Sequence, residues 1–373
     1  MRNDTKKPDL NEAVQVEIRI ISTEPEPGNA LTHAALVCTS LAVVAWAELP
    51  KTWNKDSKWQ VEILAPVQLP AHSDQKMVPD AGIWDIDLWH AVKNPAIVDG
   101  LHERGKTVIC YFNLGAVQPN DCDFTQEWYN DQENLWQGPW YFDGNGKEDE
   151  NDLYCERYEN FTQTNIMDRM KRRINKAAAA GCDGVDPDNI DIWEVTWDND
   201  GEVQQAAVVD ALKELAAHAH GITTKLKNKL MIGQKNAPTI ASQLAPVFDF
   251  AVLENCQRNK SFCGDFSDYL RVGKPVVAIE YPESLQDGSD KDNCNYNGIS
   301  GEDHAIVCPK LTGSLANMTR VLKLNYDEFG LNGCTQYCDS GVVVTPTNSS
   351  KDAICSYEFE NCDETLKRNK CCE

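Results

Sequence analysis

"GCDGVDPDNIDIW" (residues 181–193) follows an apolar, helix-like run ending in "AAAAG", and it places Asp183, Asp186, Asp188 and Asp191 within nine positions. Asp, Asn, Gly and Pro all form turns, so the stretch alone reads equally well as a polar loop. A helix that stops at a glycine and then gives way to a short strand ending in carboxylates is a different object. It is one unit of a β/α repeat, whose functional groups gather where the strands end. Whether the unit recurs decides between the two readings.

It recurs. Short β-rich runs begin at Trp59 ("WQVEIL"), Ala81 ("AGIWDIDLW"), Lys106 ("KTVICYFN"), Cys182 ("CDGVDPDN"), Lys229 ("KLMIGQKN"), Phe248 ("FDFAVLEN") and Lys274 ("KPVVAIEY"), with a weaker one at Phe329 ("FGLNGCTQY"). Helical runs lie between them over residues 94–105, 164–181 and 202–221, each closing on Gly as a C-cap would. Eight β/α units predict an α/β protein of the (β/α)8 TIM-barrel type. A doubly wound sheet is the alternative, weakened because no G-x-G-x-x-G follows the first strand.

Two regions break the repeat. Residues 120–160, after the third strand, form an acidic, aromatic-rich insertion with Trp128, Trp136, Trp140, Tyr141, Cys122 and Cys155, which a disulfide could staple over the barrel mouth. Its tryptophans are either a substrate platform or the insertion's own core. Residues 338–373, with Cys355, Cys362, Cys371 and Cys372, read as a cross-linked tail of unassigned pairing. The expected organisation is therefore a leader over 1–47, a barrel over 48–337 and a Cys-rich extension over 338–373.

With 373 residues, 42% of them hydrophobic, the chain can bury a large core. A formal charge of −23, from 58 acidic against 35 basic residues, argues against nucleic-acid and anionic-membrane partners and favours a cationic ligand. Residues 34–47, "AALVCTSLAVVAWA", are too short for a comfortable membrane span and end in an A-x-A pattern at Ala45–Ala47. Secretion with cleavage near Glu48 is expected; a signal anchor is the alternative, because the preceding residues are long and mixed in charge. Of fifteen cysteines only Cys38 falls in the leader, and the even remainder predicts disulfides. Zinc fits less well, since Cys334 and Cys338 lack the paired C-x2-C spacing and nearby histidines. Sequons at Asn160, Asn259, Asn317 and Asn348 agree with a secretory route.

The strand ends carry the chemistry. The second strand finishes with Asp85 and Asp87, the fourth with Asp186 and Asp188, the sixth with Glu254 and the seventh with Glu280. Carboxylates converging on one cleft suit glycoside hydrolysis, where one acid protonates the leaving oxygen and another acts as nucleophile or base. Crowded like charges also raise one partner's pKa and keep it protonated. Calcium would be the rival use, but "DPDNID" lacks the D-x-D-x-D-G spacing, so neither metal nor cofactor is expected. His102, His218 and His220 read as surface or packing residues.

"LHERGKTVICYFNLGA", "AAGCDGVDPDNID", "AHAHGITTKLKN", "FDFAVLENCQRNKSFC" and "GKPVVAIEYP", in this order from about Trp59 to Tyr281, together resemble the endo-alpha-1,4-polygalactosaminidase family, glycoside hydrolase family 114. The resemblance implies a TIM barrel and endo-cleavage of alpha-1,4-linked galactosamine polymer. The family's catalytic aspartate, between Pro and Asn, falls on Asp188, and its glutamate on Glu254, with Leu253 replacing the usual Asn. Asp188 is expected to act as nucleophile or charge stabiliser and Glu254 as general acid/base. Cys256 and Cys263 match the family's cysteine pair and are expected to be bonded. Binding candidates are Asp87, Tyr111, Asp186, Asp191, Lys235, Asn236, Glu280 and Tyr281, the two tyrosines as sugar-stacking rings or barrel plugs. Departures fall at Asn113, where a small hydroxyl is usual, at Ile192 and Trp193, which replace Gly-Tyr, and at "RYENFTQTN", which replaces a Trp-Leu-Asp segment. A deacetylated galactosamine polymer is a polycation that an acidic cleft attracts. A monomer is expected.

Overall fold

The computed structural model describes residues 57–63, 66–118, 121–129, 157–194, 203–258, 262–285, 299–323 and 335–338. The leader, residues 130–156 of the insertion with Trp136, Trp140, Tyr141 and Cys155, and the tail after Cys338 lie outside them.

Eleven strands lie within these residues. They are β1 (Trp59–Glu62), β2 (Ile83–Asp87), β3 (Thr107–Asn113), β4 (Ala116–Val117), β5 (Arg157–Tyr158), β6 (Gly184–Asp188), β7 (Met231–Lys235), β8 (Phe250–Glu254), β9 (Val276–Glu280), β10 (Thr319–Lys323) and β11 (Thr335–Tyr337). The large sheet runs β1-β2-β3-β6-β7-β8-β9-β10-β11, while β4 and β5 form a separate antiparallel pair. Neighbours from β1 to β10 pair in parallel, in chain order and without a reversal. A doubly wound sheet needs such a reversal, so this order is that of a barrel.

The eighth parallel strand is not the one the sequence pattern picks out. "TRVLK" at Thr319–Lys323 takes that place, and the described part of the Phe329 run, Thr335–Tyr337, adds an antiparallel strand to it. β10 mixes charged and apolar residues, which hid it. Side chains close the seam toward β1: Tyr337 Oη donates to the Trp59 carbonyl at 2.7 Å, and Thr335 Oγ1 to Gln60 Oε1 at 2.6 Å.

The helices are α1 (Leu88–Lys93), α2 (Pro95–Glu103), α3 (Gln126–Tyr129), α4 (Thr164–Ala180), α5 (Gln205–His220), α6 (Ala241–Leu244), α7 (Ser267–Arg271) and α8 (Gly301–Val307). Proline opens α2, where its missing N–H costs nothing. α4 buries Ile166, Met170, Ile174 and Ala177 along one stripe against the barrel. Its Gly181 is left-handed at φ 109°. α5 also ends at a glycine, but Gly221 keeps φ −72°, so that helix stops without the left-handed turn.

Residues on each strand alternate between two cores. Trp84, Ile86, Val108, Cys110, Phe112, Val185, Ile232, Leu253 and Ala278 face the helices, whereas Trp59, Val61, Ile83, Ile109, Met231, Phe250, Val252, Val277, Ile279 and Val321 fill the barrel. The fill is tight. A Cβ on Gly233 would stand 2.1 Å from Phe250 Cε2, so glycine there makes room for the ring on the neighbouring strand. Disulfides join Cys110 to Cys182, Cys256 to Cys263 and Cys308 to Cys338. The last secures β11 to the end of α8, and Cys122 is also disulfide-bonded. Among the described residues no helix is long and apolar enough to cross a membrane.

Candidate active site

The same alternation places the acids. Asp85 shares a face with Ile83, Tyr111 and Asn113 with Ile109, Lys235 with Met231, and Glu254 with Val252, so all project toward the barrel axis. Asp186 and Asp188 lie two apart on β6, paired across from Tyr111 and Asn113 of β3. The four aspartates of the opening stretch therefore separate. Asp183 sits at the start of β6, Asp186 inside the barrel, Asp188 at the strand's end and Asp191 in the loop beyond.

Lys235 is the hub. Its Nζ lies 3.5 Å from Asp188 Oδ2, 3.7 Å from Asp186 Oδ2 and 3.7 Å from Glu254 Oε2, and 5.1 Å from the centre of the Tyr111 ring. Burial alone would push this ammonium down, but Asp188, Glu254, Asp186 and Asp85 together outweigh it and hold the lysine well above its ordinary value. Each outer carboxyl also takes a tyrosine hydroxyl: Tyr111 Oη donates to Asp188 Oδ2 at 2.9 Å, and Tyr281 Oη to Glu254 Oε1 at 2.9 Å. The Asn189 amide donates to Asp188 Oδ1 at 2.8 Å. Both tyrosine hydroxyls thus contact the outer acids.

Below them lies an acid pair. Asp85 and Asp186 are fully buried, and among the described residues none donates a hydrogen bond to their oxygens, Lys235 standing 3.7 Å from Asp186 Oδ2. Two facing carboxyls bond only if one keeps a proton. Burial, reinforced by Asp186, raises Asp85 well above the usual carboxyl range. Burial also pushes Asp186 up to about 6, against the pull of Lys235. Protonation of Asp85 leaves the lysine's charge to the acids above it.

The remaining candidates divide between this cluster and positions apart from it. Asp87 is the N-cap of α1, accepting the amides of Trp89 and His90 at 2.8 and 2.9 Å. Glu280 lies on the helix-facing side of β9, where it accepts the Gln257 amide at 2.9 Å; burial pushes it up to about 7 despite that bond. Asn236 is in the cluster, with its amide on Glu254. Asp191 is half-buried.

Arg173, fully buried on α4, is a residue the sequence reading passed over. It donates to the Asn113 carbonyl at 2.7 Å and to the carboxylates of Asp121 and Asp123, tying the segment after β3 to the site wall. Trp128, partly buried, stacks under the Arg169 guanidinium. Asp85 carried a signal in its two-residue spacing from Asp87, whereas a buried arginine in the middle of a basic helical run carried none. Among the described residues, one group has metal-ligand spacing, Cys256, Cys263 and Glu280, and its two sulfurs are bonded to each other.

Residues 42–343 match the profile of glycoside-hydrolase family GH114. Among solved structures, the chain is similar to Ega3 of Aspergillus fumigatus, crystallised in complex with galactosamine, at 26% identity over 79% of this chain and 99% of that one, with a TM-score of 0.59. It is also similar to the glycoside hydrolase domain of PelA from Pseudomonas aeruginosa, at 14% identity over 71% of this chain and 94% of that one, with a TM-score of 0.47. No curated protein matches the sequence.

Proposed function

The chain belongs to glycoside-hydrolase family GH114, and from that premise we propose that it is an exported, endo-acting hydrolase of alpha-1,4-linked galactosamine polymer that uses Asp188 and Glu254 as its carboxyl pair. Family membership gives the coarser statement, a glycoside hydrolase acting on a glycan. The observation that carries the finer one is two strand-end carboxyls facing a shared ammonium, each held by its own tyrosine hydroxyl. Such a pair is what glycosidic cleavage requires.

Asp188 is the nucleophile and Glu254 the acid and then base. With Lys235 3.5 Å from one oxygen and 3.7 Å from the other, those two oxygens stand no farther apart than the sum of the distances, 7.2 Å. That bound accommodates the separation of roughly 5–5.5 Å used by retaining enzymes, and retention of configuration is the outcome proposed. In the first step the Glu254 proton passes to the departing sugar oxygen while Asp188 attacks the anomeric carbon and the glycosidic bond breaks; in the second, water attacks that carbon, its proton passes to Glu254 and the bond to Asp188 breaks, freeing the sugar.

Two further observations support an amino-sugar polymer: the relative crystallised with galactosamine, and an acidic cleft on a chain of formal charge −23. A polycation is drawn to such a field. Export is supported by three disulfides among the described residues together with the A-x-A pattern at Ala45–Ala47. Trp193, half-buried just beyond Asp191, favours a second reading in which a bulkier mouth selects another glycan, a galactoside or a chitosan-like chain. A panel of soluble polymers decides: partly deacetylated galactosamine polymer, fully acetylated polymer, chitosan and a galactan, each scored for released oligosaccharides. Release from the first alone supports the proposal, and release only from another polymer replaces it.

A further inference from the structure

Three charged residues of the hub are followed by asparagine: Asp188-Asn189, Lys235-Asn236 and Glu254-Asn255. The three pairs end successive strands β6, β7 and β8. All three asparagines are left-handed, with φ of 54°, 39° and 51°. Few side chains accept that backbone, and asparagine does so at lower cost than most. The turn swings each carboxamide sideways, onto a neighbouring strand.

What the carboxamides touch is specific. Asn236 Oδ1 accepts the Glu254 backbone N–H at 2.8 Å, and its Nδ2 donates to Glu254 Oε2 at 3.2 Å. Asn255 repeats the move one strand on, accepting the Tyr281 N–H at 3.2 Å, and Tyr281 Oη in turn donates to Glu254 Oε1. Asn189 Nδ2 donates to Asn113 Oδ1 at 3.1 Å, which also accepts the Ala116 amide at 2.9 Å. Both oxygens of Glu254 are thereby fixed from outside the substrate.

We propose that Asn236 and Asn255 are positioning residues for Glu254, Asn236 through its direct bond to the carboxyl oxygen and Asn255 through Tyr281, with Asn189 the matching brace behind Asp188. This rests on Glu254 being the acid/base of the proposed hydrolysis. The groups around that carboxyl are Lys235 on β7, Asp186 and Asp188 on β6, and Tyr281 after β9. Deleting the Asn236 carboxamide removes the bond to Oε2 and the brace on the Glu254 backbone together.

Glycine keeps the left-handed turn and removes the amide, so Asn236→Gly and Asn255→Gly isolate the side chain. Asn236→Asp keeps the acceptor for the Glu254 N–H but sets an oxygen against Oε2. On galactosamine polymer, Asn236→Gly is expected to lower kcat at least about 10-fold with KM within about twofold, since a misplaced catalytic group is costly. Asn236→Asp lowers kcat further, and Asn255→Gly lowers it by less. A fall in Tm with kcat unchanged in both glycine variants would mean the asparagines only stabilise the fold, and overturns the proposal. If the wild-type protein cuts no polymer, the functional reading fails separately. Carbon-13 NMR of the Glu254 carboxyl at one fixed pH, assigned with Glu254→Gln, then decides: a changed chemical shift in Asn236→Gly supports positioning, and an unchanged one refutes it.

Discussion

Lys235→Met tests whether one ammonium sets the ionisation of the whole cleft. Methionine fills much of the same volume without charge, so the perturbation is chiefly electrostatic. At 3.5 Å from Asp188 and an effective dielectric near 20, the lost attraction is about 4–5 kcal/mol. Water entering the emptied site and protons shifting onto Asp85 and Asp186 reduce it, roughly by half. About 2 kcal/mol remains, equivalent to about 1.5 pH units. Asp186, which burial raises and Lys235 pulls down, should then keep its proton to higher pH by about that amount, and the acidic limb of kcat/KM should rise with it. Activity below the limb should then fall about 30-fold and recover in part at higher pH. The assay is kcat/KM for oligosaccharide release across pH 4 to 9, with Tm measured at each pH to confirm folding. A folded variant whose acidic limb stays in place would refute the electrostatic role of Lys235, whatever its absolute rate.

Other outcomes follow from single contacts. Glu280 is raised from 4.5 to about 7, so the stability it contributes is full below pH 4.5 and is lost as pH rises through 7, by about 3 kcal/mol in all. Calorimetry should therefore find the Tm of Glu280→Gln gaining on the wild type between pH 4.5 and 7.5, and a constant difference would contradict the shift. Arg173→Met leaves Asp121 and Asp123 without their buried partner and should cost about 3–5 kcal/mol in urea unfolding. A Cβ on Gly115 would stand 1.7 Å from the Asn189 carbonyl, so Gly115→Ala should displace the turn behind Asp188. It should lower kcat at least about 10-fold while far-UV circular dichroism stays native, since a misplaced catalytic group is costly. Proton NMR of the first oligosaccharides released should show the alpha anomer, and the beta anomer would reverse the assignment of retention.

Much of the barrel was legible because its strands are short apolar runs that end in polar residues, and because α4 and α5 carry long helical patterns. β10 escaped because Thr319, Arg320 and Lys323 interrupt the apolar pattern, although Lys323 is fully buried. Asp186, Asp188 and Glu254 of the hub were legible as strand ends, since strand-end position and barrel geometry together imply convergence, whereas Lys235 was picked out only by the family resemblance. What period-2 spacing could not give was depth and direction. Asp85 and Asp87 share a face, yet one is buried beneath the cleft and the other caps a helix. Glu280 ends its strand as Glu254 does, but one residue out of phase with the interior set, and so faces the helices. His102 and His220, read as packing, contact Asp183 and Asp249 at 2.9 and 2.8 Å, just before β6 and β8. Those aspartates also accept the amides of Val108 and Ile232, pairings that depend on strand register.

The two-carboxylate claim is tested most directly by incubating partly deacetylated alpha-1,4-galactosamine polymer with the wild-type protein, Asp188→Asn and Glu254→Gln, and analysing the products by mass spectrometry. Oligosaccharides from the wild type, with release lowered at least about 1,000-fold in both folded variants, is the predicted result. Undiminished release by either variant would contradict the assignment of Asp188 and Glu254 as the catalytic pair.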